Sequence, residues 1–347
     1  YALGLTLAQW MVVSQSNDIL LAEIIRKSRK PAKSVSTKPG YLFIQLDGVS
    51  WPILDLQLKA GNLPNISKLI DDEGYVFRPW TTQLPSTTPV SQAGILLGSH
   101  KNIPAFRWYE KGTDKLFVAN QPSDAALIEE RLSSGDGLLV NGGVSIGNLF
   151  SGDAPTNIMV MSKLTGDRSA MRNMSDYMNY FTAPVGFMRA IILSFGEMAK
   201  ELFQARRAES RNIKPRIKRH GSYILLRAIT NVLLRSLQNT IVIQNMMKGV
   251  NSIYVDYLDY DEIAHHAGMA RAESLAALTG LDEVVGLISQ ARAHAPRPYE
   301  IILLSDHGQS QGETFKQLNS GKTLEDFVSE YTNTFQIETA TGTDEGQ

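Results

Sequence analysis

The stretch Ile301-Ile302-Leu303-Leu304-Ser305-Asp306-His307-Gly308 runs from four apolar residues straight into an acid, an imidazole and a glycine. A short apolar run of this kind reads as a buried strand of a parallel sheet. Ligands of open α/β sheets bind outside the carboxyl ends of the strands. Asp306 and His307 therefore stand where chemistry is usually done; the plainer reading is a strand end with two polar residues facing water. A second pair follows a strand-like start at Tyr254. Asp261 and His265 are four residues apart, so on a helical turn they share a face. One carboxylate oxygen and one imidazole nitrogen can then bind the same divalent ion. Residues 41–46 form a third apolar strand, ended by Asp47-Gly48. Asp47, Asp261, His265, Asp306 and His307 together make a donor set that suits Zn²⁺ or Mn²⁺ better than Ca²⁺.

A hydroxyl group is the other reactive feature. Ser86, Thr87 and Thr88 precede a run of small and apolar residues that reads as a helix. Two roles are open to such a hydroxyl. It can cap the helix, which is the commoner case. It can instead act as a nucleophile where the helix dipole and free N–H groups favour a phosphate.

Positioning these groups takes several strand ends that are far apart in sequence. The fold class expected is α/β: a mixed or mostly parallel sheet with helices on both faces, and with Asp47, Thr88, Asp261, His265, Asp306 and His307 in one cluster. With 347 residues the chain can bury a core of the required size. A net charge of -1 gives no whole-protein attraction to nucleic acid, and no nucleic-acid partner is expected. The absence of cysteine excludes disulfides, thiolate metal sites and a cysteine nucleophile.

Three regions are expected. Residues 1–39 begin with apolar runs over 1–13 and 19–25. The first run is too short to span a bilayer. It reads either as the end of a transmembrane segment or as an amphipathic helix packed on the domain. Arg26, Lys27, Arg29, Lys30, Lys33 and Lys38 follow, and suit a linker near anionic lipid as well as an ordinary solvated one. Residues 40–182 and 251–347 are expected to form the domain that carries the motifs. In it, residues 56–73 read as an interrupted helix and residues 158–161 as a strand. Residues 183–250 are expected to be a helical insertion, in which Arg206 to Arg219 set seven bases against one acid. That field suits anionic lipid or a polyanion; a solvated helix connection is the alternative. The expected localisation is membrane-associated.

Asp47-Gly48, Pro85 to Thr88, Asp261-x-x-x-His265-x-x-Gly268 and Asp306-His307-Gly308 resemble, in order and spacing, the alkaline phosphatase superfamily. They look most like its type I phosphodiesterase/nucleotide pyrophosphatase branch, and within it like bacterial membrane-attached proteins with a helical insertion. The resemblance implies an alkaline-phosphatase-like core, a phosphoester substrate and two divalent ions, zinc by preference. By similarity Asp47, Asp306, His307 and the nucleophile would hold one ion. Asp261, His265 and one further histidine would hold the other. Spacing from Pro85 and Gly98 matches Thr88 to the family's nucleophile, with Thr87 in reserve. Ions so placed would activate the hydroxyl and neutralise phosphoryl oxygens.

The chain departs from the pattern twice. No histidine follows His307, so the chain is expected to stop short of the last ligand. The family's phosphate-contacting asparagine has no obvious counterpart; Arg107 stands near its expected place and is the first candidate for that contact, with Asn148 a weaker one. The rival readings are a non-catalytic membrane-associated scaffold with a degenerate site, and another hydrolase of the superfamily.

Overall fold

The computed structural model describes residues 17–28, 36–164, 178, 180–182, 184–212 and 229–332. Residues 1–16, most of the basic stretch at 29–35, residues 213–228 and the tail from 333 lie outside these, and so do the expectations attached to them.

Five strands form one parallel sheet in the order β5-β4-β6-β1-β7. They are β1 (Gly40–Leu46), β4 (Val144–Ile146), β5 (Thr156–Ile158), β6 (Ser252–Tyr257) and β7 (Tyr299–Leu304). A small antiparallel pair, β2 (Arg107–Glu110) and β3 (Lys115–Val118), stands apart from it. β1 lies between β6 and β7, with Ile44 opposite Val255 on one side and Leu303 on the other. The chain thus starts one strand in from an edge, builds the far edge with β4 and β5, and returns to both sides of β1. The carboxyl ends of β6, β1 and β7 are brought side by side.

Successive strand residues point to opposite faces, and here both faces are covered. Leu42, Ile44, Leu46, Ile253, Val255, Tyr257 and Ile301 join the larger core. Its helices include α1 (Asn17–Ser28), α3 (Pro64–Asp71), α7 (Arg235–Met247), α8 (Asp259–Ala267) and α9 (Ala272–Arg292). Phe43, Tyr254 and Leu304 face the other way, into a second core with α4 (Thr88–Leu97) and α5 (Pro122–Leu132). The expected α/β sheet with helices on both faces is therefore present.

Some local readings change. The interrupted helix at 56–73 is two helices, α2 (Trp51–Lys59) and α3, the second starting at Pro64. α3 has no cap from its own chain neighbours; the buried Asp282 carboxylate on α9 accepts from the amides of Asn65 (3.1 Å) and Ile66 (2.8 Å) instead. The strand expected at 158–161 ends at Ile158, because Met159 takes φ 55 and turns the chain into a 3-10 turn over Met161–Lys163. Residues 19–25 lie in α1, whose Leu20, Leu21, Ile24 and Ile25 pack into the larger core. Within the segment 183–250, α6 (Pro184–Ser210) lies against α1: the Gly186 amide donates to Glu23 Oε2 (3.2 Å). α7 is part of the core itself, with Ile241, Ile243 and Met246 fully buried. Among the described residues, no helix is long and apolar enough to cross a membrane.

Candidate active site

Asp47 is the first residue after β1, and its amide still donates to Tyr257 O (3.2 Å), so the strand pairing carries it to the sheet edge. Gly48 then turns with φ 68, a left-handed conformation that suits glycine. A Cβ at Gly48 would also lie 1.9 Å from Asp261 Oδ1. The Asp-Gly pair is thus explained: the glycine makes room for the carboxylate of the neighbouring element.

α4 begins at Thr88, with Pro89 in its first turn and Gly98 (φ 73) closing it. The position that flanks the helix is taken by Thr87, whose extended backbone makes it the N-cap residue but whose side chain makes no capping bond. Its Oγ1 is buried without a hydrogen bond. Thr88 is the first helical residue, and its hydroxyl lies 3.0 Å from His307 Nε2 and 3.5 Å from Asp47 Oδ1. The capping role is therefore not that of Thr88.

Asp306 and His307 follow β7. The Gly48 amide donates to Asp306 Oδ1 (3.3 Å), while Asp306 Oδ2 is buried and makes no hydrogen bond. His307 Nε2 lies 3.4 Å from Asp47 Oδ1 and 3.6 Å from Asp306 Oδ2. One ligand atom from each of Asp47, Asp306 and His307 falls within 4.8 Å of the other two. A tetrahedral ion with bonds of about 2.0–2.2 Å sets its ligands ~3.4 Å apart. The spacing of these oxygens and this nitrogen fits such an ion, and so does a buried carboxylate oxygen left without a donor.

Asp261 and His265 stand on α8, as the four-residue spacing requires, with His265 Nε2 3.1 Å from Asp261 Oδ2. Gln309 Nε2 donates to Asp261 Oδ1 (2.5 Å) and to Asp261 O (3.2 Å). Through Gly48 this pair adjoins the first group. The six residues expected at one place thus form two neighbouring groups. Among the described residues, only Asp47, Asp306 and His307 make a three-ligand group of carboxylates and imidazoles.

The electrostatics match a site built for cations. Burial, and then the carboxylates of Asp306, Asp256 and Asp261, push Asp47 well above the usual carboxylate range. Burial also raises Asp261, but the hydrogen bond and charge of His265, the charge of His307 and the Gln309 amide outweigh it and hold Asp261 below its ordinary value. So many buried acids repel one another unless positive charge is supplied.

The other two expected residues stand on other elements, at the start of β2 and just after β4. Arg107 is half-buried at the start of β2. Asn148 is buried, and its amide donates to Ser145 Oγ (2.7 Å) and Tyr254 O (3.4 Å). Sequence reasoning missed a polar layer beneath the site. Gln92, on α4, donates to Asp256 Oδ2 (2.7 Å) and to Gln45 Oε1 (3.3 Å), and accepts from the Leu149 amide (2.9 Å). This layer ties the Thr88 helix to β1, to β6 and to the turn after β4. The signal was a charged residue inside an apolar strand, Tyr254-Val255-Asp256, which is costly unless paired.

Carboxylates, imidazole and a hydroxyl gathered at the strand ends of a parallel α/β sheet are the layout of a hydrolase that works with divalent cations. The family model for type I phosphodiesterase / nucleotide pyrophosphatase matches residues 41–336, and the chain belongs to that family, a branch of the alkaline phosphatase superfamily. The family consists of metal-dependent phosphoric ester hydrolases, which makes this chain a phosphoester hydrolase. None of the curated proteins compared with the chain matches it by sequence.

Proposed function

We propose that the chain hydrolyses phosphodiesters or phosphomonoesters with Thr88 as the nucleophile and two divalent ions, zinc or manganese, in the site. The observation that carries this reading is the Thr88 hydroxyl, 3.0 Å from His307 Nε2 and 3.5 Å from Asp47 Oδ1 at the start of a ten-residue helix. Asp47, Asp306, His307 and Thr88 would hold one ion; Asp261 and His265 would hold the other, with the further histidine that the family pattern supplies. Ions bound there lower the hydroxyl pKa and neutralise the phosphoryl oxygens. Thr88 Oγ1 attacks phosphorus as the ester P–O bond breaks, and the departing oxygen leaves with the alcohol. Water then cleaves the phosphothreonine, returning the hydroxyl and releasing phosphate or its monoester. In the first turn of α4 Pro89 has no N–H and the Ser91 amide donates to Thr87 O (3.1 Å), so the amides of Thr88 and Val90 are the ones that would face the incoming phosphoryl group. Arg107 is assigned to a phosphoryl oxygen, with Asn148 the second choice because its amide already serves Ser145 and Tyr254. The test is turnover of bis(p-nitrophenyl) phosphate and p-nitrophenyl phosphate by full-length, metal-loaded protein and by Thr88→Ala. Hydrolysis of neither ester by the wild type would leave the scaffold reading in its place.

Attachment to an anionic membrane surface is the second part of the proposal, and α6 supports it. At 100° per residue, Met188, Phe195 and Leu202 fall on one stripe with Phe203 beside it. All four are exposed, Phe195 by 68% and Phe203 by 65%. Arg206 continues the stripe at its C-terminal end, and Lys200 and Arg207, also exposed, lie on the side of Phe203. An apolar face rimmed by basic residues suits the interface of an anionic bilayer.

A further inference from the structure

Residues 76–86 form no helix or strand, yet they are fixed at several points beside the site. Phe77 stacks on Trp51, ring centres 3.9 Å apart and planes at 19°. The indole N–H of Trp80 donates to Ser305 O (2.9 Å), the residue before Asp306. Thr82 Oγ1 donates to Asp306 O (2.8 Å) and lies 2.9 Å from Ser91 Oγ on α4. Gln83 rests against Gly94, where a Cβ would come within 3.1 Å of its side-chain oxygen. The segment then leads directly into Thr87 and Thr88.

These anchors hold apolar side chains out in solvent. Trp80 is 52% exposed, and Val76 and Leu84 on the same segment are 81% and 82% exposed. A single exposed apolar residue is ordinary. A tryptophan whose polar nitrogen is already bonded to the backbone beside a metal-ligand candidate is different. Its position is set, so a ligand stacking on it orders no further side chain, and its exposed ring surface gains from an apolar contact.

We propose that Trp80 is the floor of a substrate subsite that takes a flat aromatic group on the phosphorus next to the scissile bond. The inference rests on the phosphoester-hydrolase reading above and adds the class of substituent that the rim selects. It favours esters with an aromatic substituent over those with a methyl group in the same place.

The test compares full-length, zinc-loaded protein on p-nitrophenyl phenylphosphonate and p-nitrophenyl methylphosphonate, which share a leaving group and a charge. The wild type is expected to prefer the phenyl compound in kcat/KM by about tenfold, as a stacking contact of about 1.4 kcal/mol gives. Trp80→Ala is expected to bring the ratio to about one. Trp80→Leu serves as a second variant if the alanine protein does not fold, and is expected to keep only part of the preference. A purely structural role for Trp80 lowers both rates together and leaves the ratio unchanged; that result, or a wild type without preference, overturns the inference. If the wild type hydrolyses neither compound, turnover of the nitrophenyl phosphates decides the hydrolase reading, and calorimetry with phenylphosphonate and methylphosphonate decides the subsite separately. Tighter phenylphosphonate binding that is lost in the Trp80 variants supports it; equal binding, or none, overturns it.

Discussion

The Thr88 hydroxyl lies 3.0 Å from His307 Nε2, although 219 residues separate the two in the chain. The contact joins the start of a helix to the end of a strand, and one substitution reports on it. Thr88→Ala is expected to abolish ester turnover, with a drop of at least about a thousandfold, as loss of a nucleophile does. Stability should fall by only about 1 kcal/mol, the worth of one hydrogen bond. Thr87→Ala removes a hydroxyl that makes no hydrogen bond and should leave turnover within a few-fold. Steady-state kinetics with a nitrophenyl ester, next to a urea melt, separates the outcomes. Full activity in Thr88→Ala with loss in Thr87→Ala would move the nucleophile by one residue.

Crowded acids make the second prediction. Asp47, Asp256, Asp261 and Asp306 are all buried, and three of them raise the cost of charging the fourth. Chelated protein is therefore expected to gain stability on adding zinc or manganese, by about 2.7 kcal/mol at a hundredfold excess over Kd. Asp47→Asn relieves the repulsion but removes a ligand. It should melt higher than wild type in chelator and lose most of the metal-induced rise. A calorimetric Tm that responds to metal equally in both proteins would contradict the assignment of Asp47.

The parts legible in the sequence were those that local chemistry dictates. Asp47, Asp261 and Asp306 each end or follow an apolar strand, and strand ends of a parallel sheet converge; the Asp261–His265 spacing needed only a helical turn. What could not be read depended on partners distant in sequence. Gln309 carries no local cue in the sequence, yet its amide donates to Asp261. Gln92 lies in a run of small and apolar helix residues, yet it meets Asp256 and Gln45 of the sheet. α7 sat in a stretch of helix-spaced apolar residues, and the pattern alone does not separate an inserted helix from one buried in the core.

Asp282 is a third such case and gives a stability test. Its carboxylate accepts from Asn65 N, Ile66 N and Asn65 Nδ2, so it caps α3 from another helix while itself 1% exposed. Asp282→Ala strands the buried Ile66 amide and the part-buried Asn65 amide and should cost about 2 kcal/mol. Metal-dependent turnover per folded molecule should be unchanged. Chemical denaturation gives the first quantity and titrated activity the second; a loss below about 0.5 kcal/mol would mean that the cap contributes little.

The exposed face of α6 is tested with lipid. Phe195→Ser/Phe203→Ser removes two side chains that are 68% and 65% exposed, so stability should change by less than about 1 kcal/mol. Wild-type protein is expected to sediment with vesicles of phosphatidylcholine and phosphatidylserine, and less with phosphatidylcholine alone. Lys200, Arg206 and Arg207 supply that difference, at about 1 kcal/mol for each base near the surface, and salt should weaken it. The double variant should bind at least about tenfold more weakly, because the apolar contribution is independent of lipid charge. Charge reversal, Arg206→Glu/Arg207→Glu, should remove the phosphatidylserine preference and keep the weak binding to neutral vesicles. The two sets of variants therefore fail in different ways if α6 lies in the interface. Unchanged sedimentation in both, with the full-length chain, would assign membrane attachment to another segment and leave the α6 face without that role.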